Sequence, residues 1–218
     1  MLKAEHRQSL LEEHGRKHQQ IKERLKEFSY FRHQGTDEEI FAELAYCVLT
    51  ANTSAKMGER CLPAIRPVLM TATLEEFKER LHAVRCRFWN TRSSYLVHIR
   101  EHLDRLCGLK LKTWLEGFPD LLARRDALAV PKEIKGIAFK ESSHFLRNIG
   151  YRGYAILDLH IVKTMKEFGL IRSEKRPSNR DQYLKLERKL SQFSEDLQID
   201  LDELDLLLWS RRTGEILK

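Results

Sequence analysis

The sequence predicts an all-α protein, and three observations lead to that class. Helix-capping signatures recur along the chain, apolar residues repeat at helical spacing, and no convincing run alternates apolar and polar residues as a strand does. The composition, with 42% hydrophobic and 33% charged residues, is that of a globular chain. Its 218 residues are enough for one large domain or two small ones.

The N-terminal half contains four helix signals. Residues 5–29 contain no proline and one glycine, and they are typical of a long polar helix. Thr36 and Glu39 form a capping box that opens a helix toward Ala51. Thr73 and Glu76 form a second such pair, before a helix that ends near Val84. A further helix is indicated by apolar residues at helical spacing, Leu96, Ile99, Leu103 and Leu106.

The C-terminal half contains four more helix signals. Residues 120–130 are helix-like, residues 140–150 end on a glycine stop, and residues 159–168 form a further helix. The longest stretch of loop character is Gly169–Asn179. The last helix is opened by Asp200 and Glu203 and continues through Leu204, Leu207 and Leu208. Prolines are expected between helices or at their starts, at Pro63, Pro67, Pro119, Pro131 and Pro177.

The charge is unevenly distributed. The formal net charge is +7 and the isoelectric point is about 9.2, which favours an anionic partner but is a weak signal alone. Between Val130 and Arg180, eleven Lys and Arg stand against five Asp and Glu, whereas Asp196–Asp205 is acidic. The basic segment therefore indicates an anionic partner, with an ordinary solvated face as the alternative.

The cysteines give no sign of a cofactor. They are widely spaced and form no CxxC pair, whereas iron–sulfur and zinc sites gather their ligands at short spacings. We therefore expect no metal and no cofactor, and four reduced and mostly buried thiols. The four are Cys47, Cys61, Cys86 and Cys107.

We expect an intracellular protein, in the cytoplasm and associated with the nucleoid if the source is prokaryotic. No apolar run approaches the roughly 20 residues that a membrane-spanning helix needs. The first residues, MLKAEHRQSLLEEHGRKHQQ, are too polar for a secretory signal. A membrane partner is therefore not expected.

The segment 130–160 carries the most specific signal. A short turn with Gly136 and Ala138 lies between two helices, and a turn that opens a helix leaves backbone N–H groups without intrahelical partners. Those groups, together with the positive end of the helix, suit a phosphate. Lys135, Lys140 and Arg147 add positive charge around the turn. The alternative is an ordinary turn between two packed helices.

Residues 136–160 resemble the helix-hairpin-helix motif of DNA glycosylases, in which a Gly-x-Gly-x-Lys hairpin opens a helix and an aspartate lies beyond that helix. The strings CVLTANTSAKMG, KGIAFKESSHFLRNIG and AILDLHIV are similar to the archaeal-type 8-oxoguanine DNA glycosylase/AP lyase family in particular, from about Phe41 to Lys218. The second hairpin glycine is Ala138 here, which would be strained if the position required a positive φ.

The resemblance implies a fold and a function. The fold is a single unit over residues 1–218, made of two helical subdomains with the active site in the cleft between them and the hairpin at about 121–150. The function is removal of 8-oxoguanine from double-stranded DNA, followed by β-elimination through a lysine Schiff base. A monomer is expected. The alternatives are a glycosylase for another oxidised base and a non-catalytic DNA-binding module.

The resemblance assigns the chemistry to Lys140 as nucleophile and to Asp158 as its acidic partner. An amine can attack the sugar carbon and form a Schiff base, and a carboxylate can stabilise the positive charge that develops as the base leaves. From the sequence alone, Lys140 could be a solvated surface lysine. Asp158 could simply cap the helix that follows it.

The resemblance also assigns residues to base recognition and DNA binding. Phe88 and Trp209 would stack on the two faces of the extruded purine, with Trp89 as a competitor for Phe88, and Lys218 would lie near the base. Core packing is the alternative for the aromatic residues, and a frayed end for Lys218. Asn52 would fill the gap left in the duplex, or else cap the helix from Thr53. The DNA contacts expected at and after the hairpin are Lys135, Gly136, Ala138 and Arg147.

Two histidines lie near the motif, His144 and His160. We expect each of them to be packed or hydrogen-bonded rather than catalytic.

Overall fold

The computed structural model describes residues 4–216, and every regular element in that range is a helix. A short 3₁₀ turn, Arg66–Val68, joins the third and fourth α-helices. The all-α class predicted from the sequence is confirmed. The helices are α1 (Ala4–His33), α2 (Asp37–Thr50), α3 (Ala55–Ile65), α4 (Leu74–Ala83), α5 (Trp89–Cys107), α6 (Leu111–Glu116), α7 (Leu121–Ala129), α8 (Phe139–Asn148), α9 (Leu159–Glu167), α10 (Arg180–Leu197) and α11 (Leu201–Thr213).

The predicted helix starts are formed by side-chain caps. In α2 the Thr36 hydroxyl accepts from the Glu39 N–H, and the Glu39 carboxylate accepts from the Thr36 N–H at 2.9 Å, so the capping box is complete. Thr73 accepts from the Glu76 N–H at 3.2 Å before α4. Before α11 the Asp200 side chain accepts from the Asp202 N–H at 3.0 Å, two residues on instead of three. These local hydrogen bonds explain why the starts are readable from the sequence.

Helix α1 is four residues longer at its C-terminal end than predicted, ending at His33 instead of residue 29. It is polar over most of its surface, and a sparse apolar face packs it onto the protein. Nowhere in the described range is a helix both long enough and apolar enough to cross a membrane. The buried apolar side chains of α1 are Leu10, Ile21, Leu25 and Phe28.

The structure adds three helices that the periodicity did not single out, α3, α6 and α10. The expectation that every proline lies between helices or at a start is wrong for Pro63, which lies inside α3. A proline there removes one backbone hydrogen bond, and α3 ends only two residues later, at Ile65. The predicted loop Gly169–Asn179 is confirmed, since no helix or strand occurs between α9 and α10.

The buried apolar side chains form two cores. The first is built by α2–α8 and includes Phe145 and Leu146 of α8. The second is built by α1, α9, α10 and α11, and Phe139 at the start of α8 packs against it. The chain passes from the first core to the second between Tyr154 and Ala155. The start of α8 therefore lies at the boundary between the two cores.

A buried ion pair ties the two cores together. Arg125 of α7 is fully buried and donates to both carboxylate oxygens of Glu187 of α10, at 2.6 and 2.8 Å. The same carboxylate accepts from the Ala155 N–H at 3.1 Å. Such a paired and hydrogen-bonded geometry is what a buried charge requires. It fixes α7, the first helix of the hairpin, against α10.

Candidate functional site

The hairpin between α7 and α8 depends on one glycine. Gly136 has φ +78°, and a Cβ there would lie 2.8 Å from Cδ2 of Tyr95. Both the left-handed backbone and the close ring therefore require a residue without a side chain. The turn packs its apolar residues Ile134 and Ile137 inward.

Ala138 is not strained. Its φ of −110° and ψ of −169° are extended, so an alanine fits in place of a second glycine. Ala138 is the N-cap of α8, and no side chain of the described residues caps that helix. Lys135, Gly136 and Ala138 are all exposed. The first-turn amides of α8 are thus presented beside an exposed lysine, an arrangement suited to an anionic phosphate.

Lys140 and Asp158 line one cavity at the boundary between the cores. Lys140 is in the first turn of α8, its side chain is 27% exposed, and its Nζ lies 3.8 Å from Oε1 of Glu141. Asp158 is the N-cap of α9, and its Oδ1 accepts from the Ile161 N–H at 2.8 Å. Both side chains line a cavity of about 310 Å³ and an adjoining groove of about 850 Å³. The capping role foreseen for Asp158 and its place in the cavity occur together.

The cavity is built from both cores. One wall comes from the α2–α3 connection, and the opposite wall from α9 and α11, with α8 between them. Lys140, His144 and Arg147 face it at helical spacing from α8. The other polar or aromatic side chains on its wall are Thr50, Thr53, Ser54, Lys56, Asp158, His160, Asp205, Trp209, Thr213 and Glu215.

Arg147 is an interior residue, which corrects its assignment as a DNA contact. It is 5% exposed, its guanidinium lies over the Phe28 ring at 4.9 Å, and its Nη2 is 4.0 Å from Oδ2 of Asp205. Burial lowers the pKa of Arg147, and Asp205 opposes that shift. The Arg147 guanidinium therefore lies in the cavity wall and not on the exposed surface of the hairpin, where the phosphate contact was expected.

Asp205 is a cavity residue that the sequence did not reveal. It is 3% exposed, and its Oδ1 makes no hydrogen bond within the described chain. Burial raises the pKa of Asp205 to about 7; Arg147 opposes this rise, while the negative charge of Asp158 adds to it. Asp205 and Trp209 are four residues apart on α11, so their helical spacing was the available signal.

His144 and His160 differ in environment. His144 is 8% exposed and lies edge-on to Tyr46, with ring centroids 6.1 Å apart, as a packed histidine should. His160 is exposed and lines both the cavity and the groove, so of the two expected environments, packed or hydrogen-bonded, the packed one is wrong. His160 lies in the first turn of α9, two residues after the N-cap Asp158, and its side chain is exposed there.

Asn52 lies on the groove wall in the α2–α3 connection. It is exposed, has φ +55°, and shares the groove with Lys140, Lys175 and Arg176. The alternative in which Asn52 caps the next helix is wrong, because α3 begins at Ala55 with Ser54 as its N-cap.

Of the three residues expected to contact the extruded base, Trp209, Phe88 and Lys218, one of the two within the described residues lies on the wall of the cavity. Trp209 lines the cavity with Lys140. Phe88 is not among the described residues of the cavity wall; it is 50% exposed, has φ +59°, and packs under Arg87, whose guanidinium is 4.6 Å from the ring centroid. Trp89 is half-buried edge-on to His82, with centroids 4.9 Å apart. Lys218 lies outside the described residues.

These elements define a helix-hairpin-helix protein whose lysine and aspartate share one cleft. A family model described as 8-oxoguanine DNA glycosylase matches residues 21–199. The 8-oxoguanine DNA glycosylase/AP lyase of Methanocaldococcus jannaschii is 37% identical over 198 residues, covering 91% of each chain. The protein of the same name from Fusobacterium nucleatum is 34% identical over 201 residues, covering 91% of each chain.

Solved structures agree with this match. The M. jannaschii glycosylase/lyase bound to a 15mer DNA containing 8-oxoguanine aligns with a TM-score of 0.86 at 34% identity, covering 96% of this chain and 100% of that one. The 8-oxoguanine DNA glycosylase of Thermotoga maritima aligns with a TM-score of 0.88 at 34% identity, covering 98% and 99%. The chain belongs to the 8-oxoguanine DNA glycosylase family, as its resemblance implied.

Proposed function

We propose that this protein removes 8-oxoguanine from double-stranded DNA and then cleaves the strand at the abasic site through Lys140. The observation that carries the proposal is the shared cavity of Lys140 and Asp158 beside an exposed hairpin. Relatives at 37% and 34% identity are named as 8-oxoguanine DNA glycosylase/AP lyases, which supports both activities.

The first step breaks the glycosidic bond. The electron pair of the neutral Lys140 Nζ forms a bond to C1′ of the deoxyribose, while the C1′–N9 bond breaks and the base leaves with the electron pair of that broken bond and takes up a proton. The sugar gains positive character as the base departs, and the Asp158 carboxylate faces that charge from the cavity wall. The Oδ1 of Asp158 is engaged with Ile161, so its second oxygen is the one directed to this task.

The second step is the lyase reaction. Loss of a proton from the amine and opening of the sugar ring give a C1′=N Schiff base on Lys140. Removal of a proton from C2′ then expels the 3′ phosphate with the electron pair of the C3′–O bond. Hydrolysis of the imine returns the lysine. The reaction uses an amine and a proton acceptor, both of which the cavity offers.

The base would enter the cavity after leaving the stack. Trp209 lies on its wall and offers an aromatic face for stacking. We propose that Phe88, which is exposed, closes on the other face and that Lys218 approaches the base. Trp209→Ala should impair excision more than Trp209→Phe, and deletion of Lys218 should reduce discrimination against guanine.

The DNA would lie across the groove. Lys175 and Arg176 are exposed on its wall, and Lys135 is exposed on the hairpin that precedes the first turn of α8. We propose that Asn52 fills the space left by the extruded base. Each lost phosphate contact should reduce the salt dependence of binding, with a slope change of about 1 for Lys135→Gln. We expect a monomer, which sedimentation would test.

Borohydride trapping tests the proposal. Reduction during reaction with an 8-oxoguanine duplex should yield a covalent protein–DNA adduct, because an imine is reduced to a stable amine. A matched duplex with guanine should give none. An adduct only with an oxidised pyrimidine would replace the proposed substrate. No adduct with any damaged duplex, despite tight binding, would instead indicate a DNA-binding module.

A further inference from the structure

A second group of chemically capable side chains lies between α1 and α11. His14 and His18 are one helical turn apart on α1, and Glu203 is in the first turn of α11. The Nε2 of His14 lies 2.8 Å from Oε2 of Glu203, and the Nε2 of His18 lies 3.8 Å from the same oxygen. The three candidate ligand atoms all lie within 4.8 Å of one another.

We infer that His14, His18 and Glu203 bind one divalent transition-metal ion, with Zn²⁺ as the best match. Two imidazoles and one carboxylate are a donor set that zinc accepts in proteins, with water in the fourth position. Bonds of about 2.0–2.1 Å in a tetrahedron place ligand atoms about 3.3 Å apart. The two separations to the Glu203 oxygen, 2.8 and 3.8 Å, bracket that spacing, and all three ligand atoms lie within 4.8 Å of one another, so side-chain rotations can bring them to it.

The surroundings favour a bound cation over a simple ion pair. The His14 ring nitrogen lies within hydrogen-bond distance of Glu203, and the His18 ring nitrogen lies 3.8 Å from the same oxygen, so two imidazole nitrogens converge on one carboxylate. The two imidazole rings are edge-on, with centroids 5.0 Å apart. Neighbouring cations are engaged elsewhere, since Glu13 accepts from Lys17 at 2.7 Å and from Arg211 at 2.6 Å.

The position of the site gives it a role distinct from the repair chemistry. His14 and His18 precede the residues 21–199 that match the family model, and Glu203 follows them. None of the three lines the cavity of Lys140. A metal ion here would join the N-terminal half of α1 to α11, the helix that carries Asp205 and Trp209. It would therefore stabilise the wall of the cavity without entering the reaction.

Isothermal titration of the metal-free protein with Zn²⁺, at about pH 7.5 where histidine is mostly neutral, tests the site. We expect one ion per chain and a higher melting temperature with Zn²⁺ than with EDTA. Co²⁺ should give visible absorption bands that Zn²⁺ abolishes. His18→Gln should weaken binding by about tenfold or more. The His18 side chain is 41% exposed, so this variant should fold.

The chain offers a matched control. His98 and His102 of α5 are also one turn apart, but no third donor joins them within the described residues. His98→Gln should leave binding unchanged. Glu203→Gln should abolish the Zn²⁺-dependent rise in melting temperature, whatever it does to the metal-free protein. Absence of stoichiometric binding, or equal binding by wild type and His18→Gln, would overturn the inference.

Discussion

Lys140 and Asp158 line the same cavity because each stands at the start of a helix at the boundary between the two cores. Lys140 projects from the first turn of α8, whose apolar face belongs to the first core. Asp158 begins α9, whose apolar face belongs to the second. The packing of the two cores, rather than a contact within one element, thus sets the geometry of the site.

Lys140→Gln should abolish borohydride trapping and reduce strand cleavage by on the order of 10³-fold or more, because the amide cannot form an imine. The Lys140 side chain is 27% exposed, and its ion pair with Glu141 is long, at 3.8 Å, and therefore weak. The substitution should leave the melting temperature nearly unchanged. Gel analysis of trapped adduct and product is the measurement.

The matched control is Lys135→Gln, which removes an exposed hairpin lysine outside the cavity. It should retain trapping at saturating protein while weakening DNA binding, most clearly at low salt. Full strand cleavage by Lys140→Gln would show that another amine performs the chemistry.

Asp158 has two roles that substitution can separate. Asn is as good an N-cap as Asp, so Asp158→Asn should keep α9 capped and the protein stable while slowing base removal. Asp158→Ala should lose both roles, with a destabilisation of about 1 kcal/mol. Single-turnover excision and thermal unfolding give the two readouts. Normal excision by Asp158→Asn would leave Asp158 with the capping role alone.

Gly136→Ala should destabilise the protein by about 1–3 kcal/mol, because the left-handed backbone is unfavourable for alanine and its Cβ would press on the Tyr95 ring. DNA affinity should fall with it, since the turn must shift. Ala138→Gly is the control: Ala138 is already extended, so glycine should add flexibility without improving binding. Denaturant unfolding and fluorescence anisotropy measure both effects. Wild-type stability in Gly136→Ala would show that the turn tolerates a side chain.

Local signals made most of the architecture predictable. Thr36, Thr73 and Asp200 are side-chain caps whose hydrogen bonds lie within their own first turns, so sequence spacing alone identifies the helix starts. The hairpin and Lys140 were identified differently, through the resemblance of residues 136–160 to the helix-hairpin-helix motif, because glycine spacing alone also fits an ordinary turn between two helices.

Properties set by distant partners could not be predicted in this way. Arg147 looked like a surface cation, but Phe28 and Asp205, far away in the sequence, enclose it. Asp205 lies in an acidic segment that suggests solvation, yet α11 turns it into the cavity. Pro63 occurs inside a helix whose burial outweighs the lost hydrogen bond. The charge and the apolar periodicity of a sequence do not predict which helices pack against each other.

Asp205 should make stability depend on pH. Its pKa is about 7 in the fold because burial favours the neutral acid, whereas an unfolded aspartate titrates near its ordinary value of 3.8. The folded state therefore holds the extra proton between these values. The resulting stabilisation is complete below the ordinary pKa and is lost as pH rises through about 7.

Asp205→Asn cannot ionise, so it should lose less stability than wild type on raising the pH. The difference should be on the order of 3 kcal/mol between about pH 5 and 8, because the linkage spans about two pH units at 1.36 kcal/mol each. Burial also raises the pKa of Asp202, to about 6, and the negative charge of Asp202 adds to the rise at Asp205, so both carboxyl groups contribute to the wild-type slope whereas the variant retains that of Asp202 alone. Arg147 attracts Asp205 only once the carboxyl ionises, and this attraction is already contained in the pKa of about 7. Urea unfolding at several pH values measures the two slopes, and parallel slopes would mean that Asp205 is ionised in the fold across the whole range.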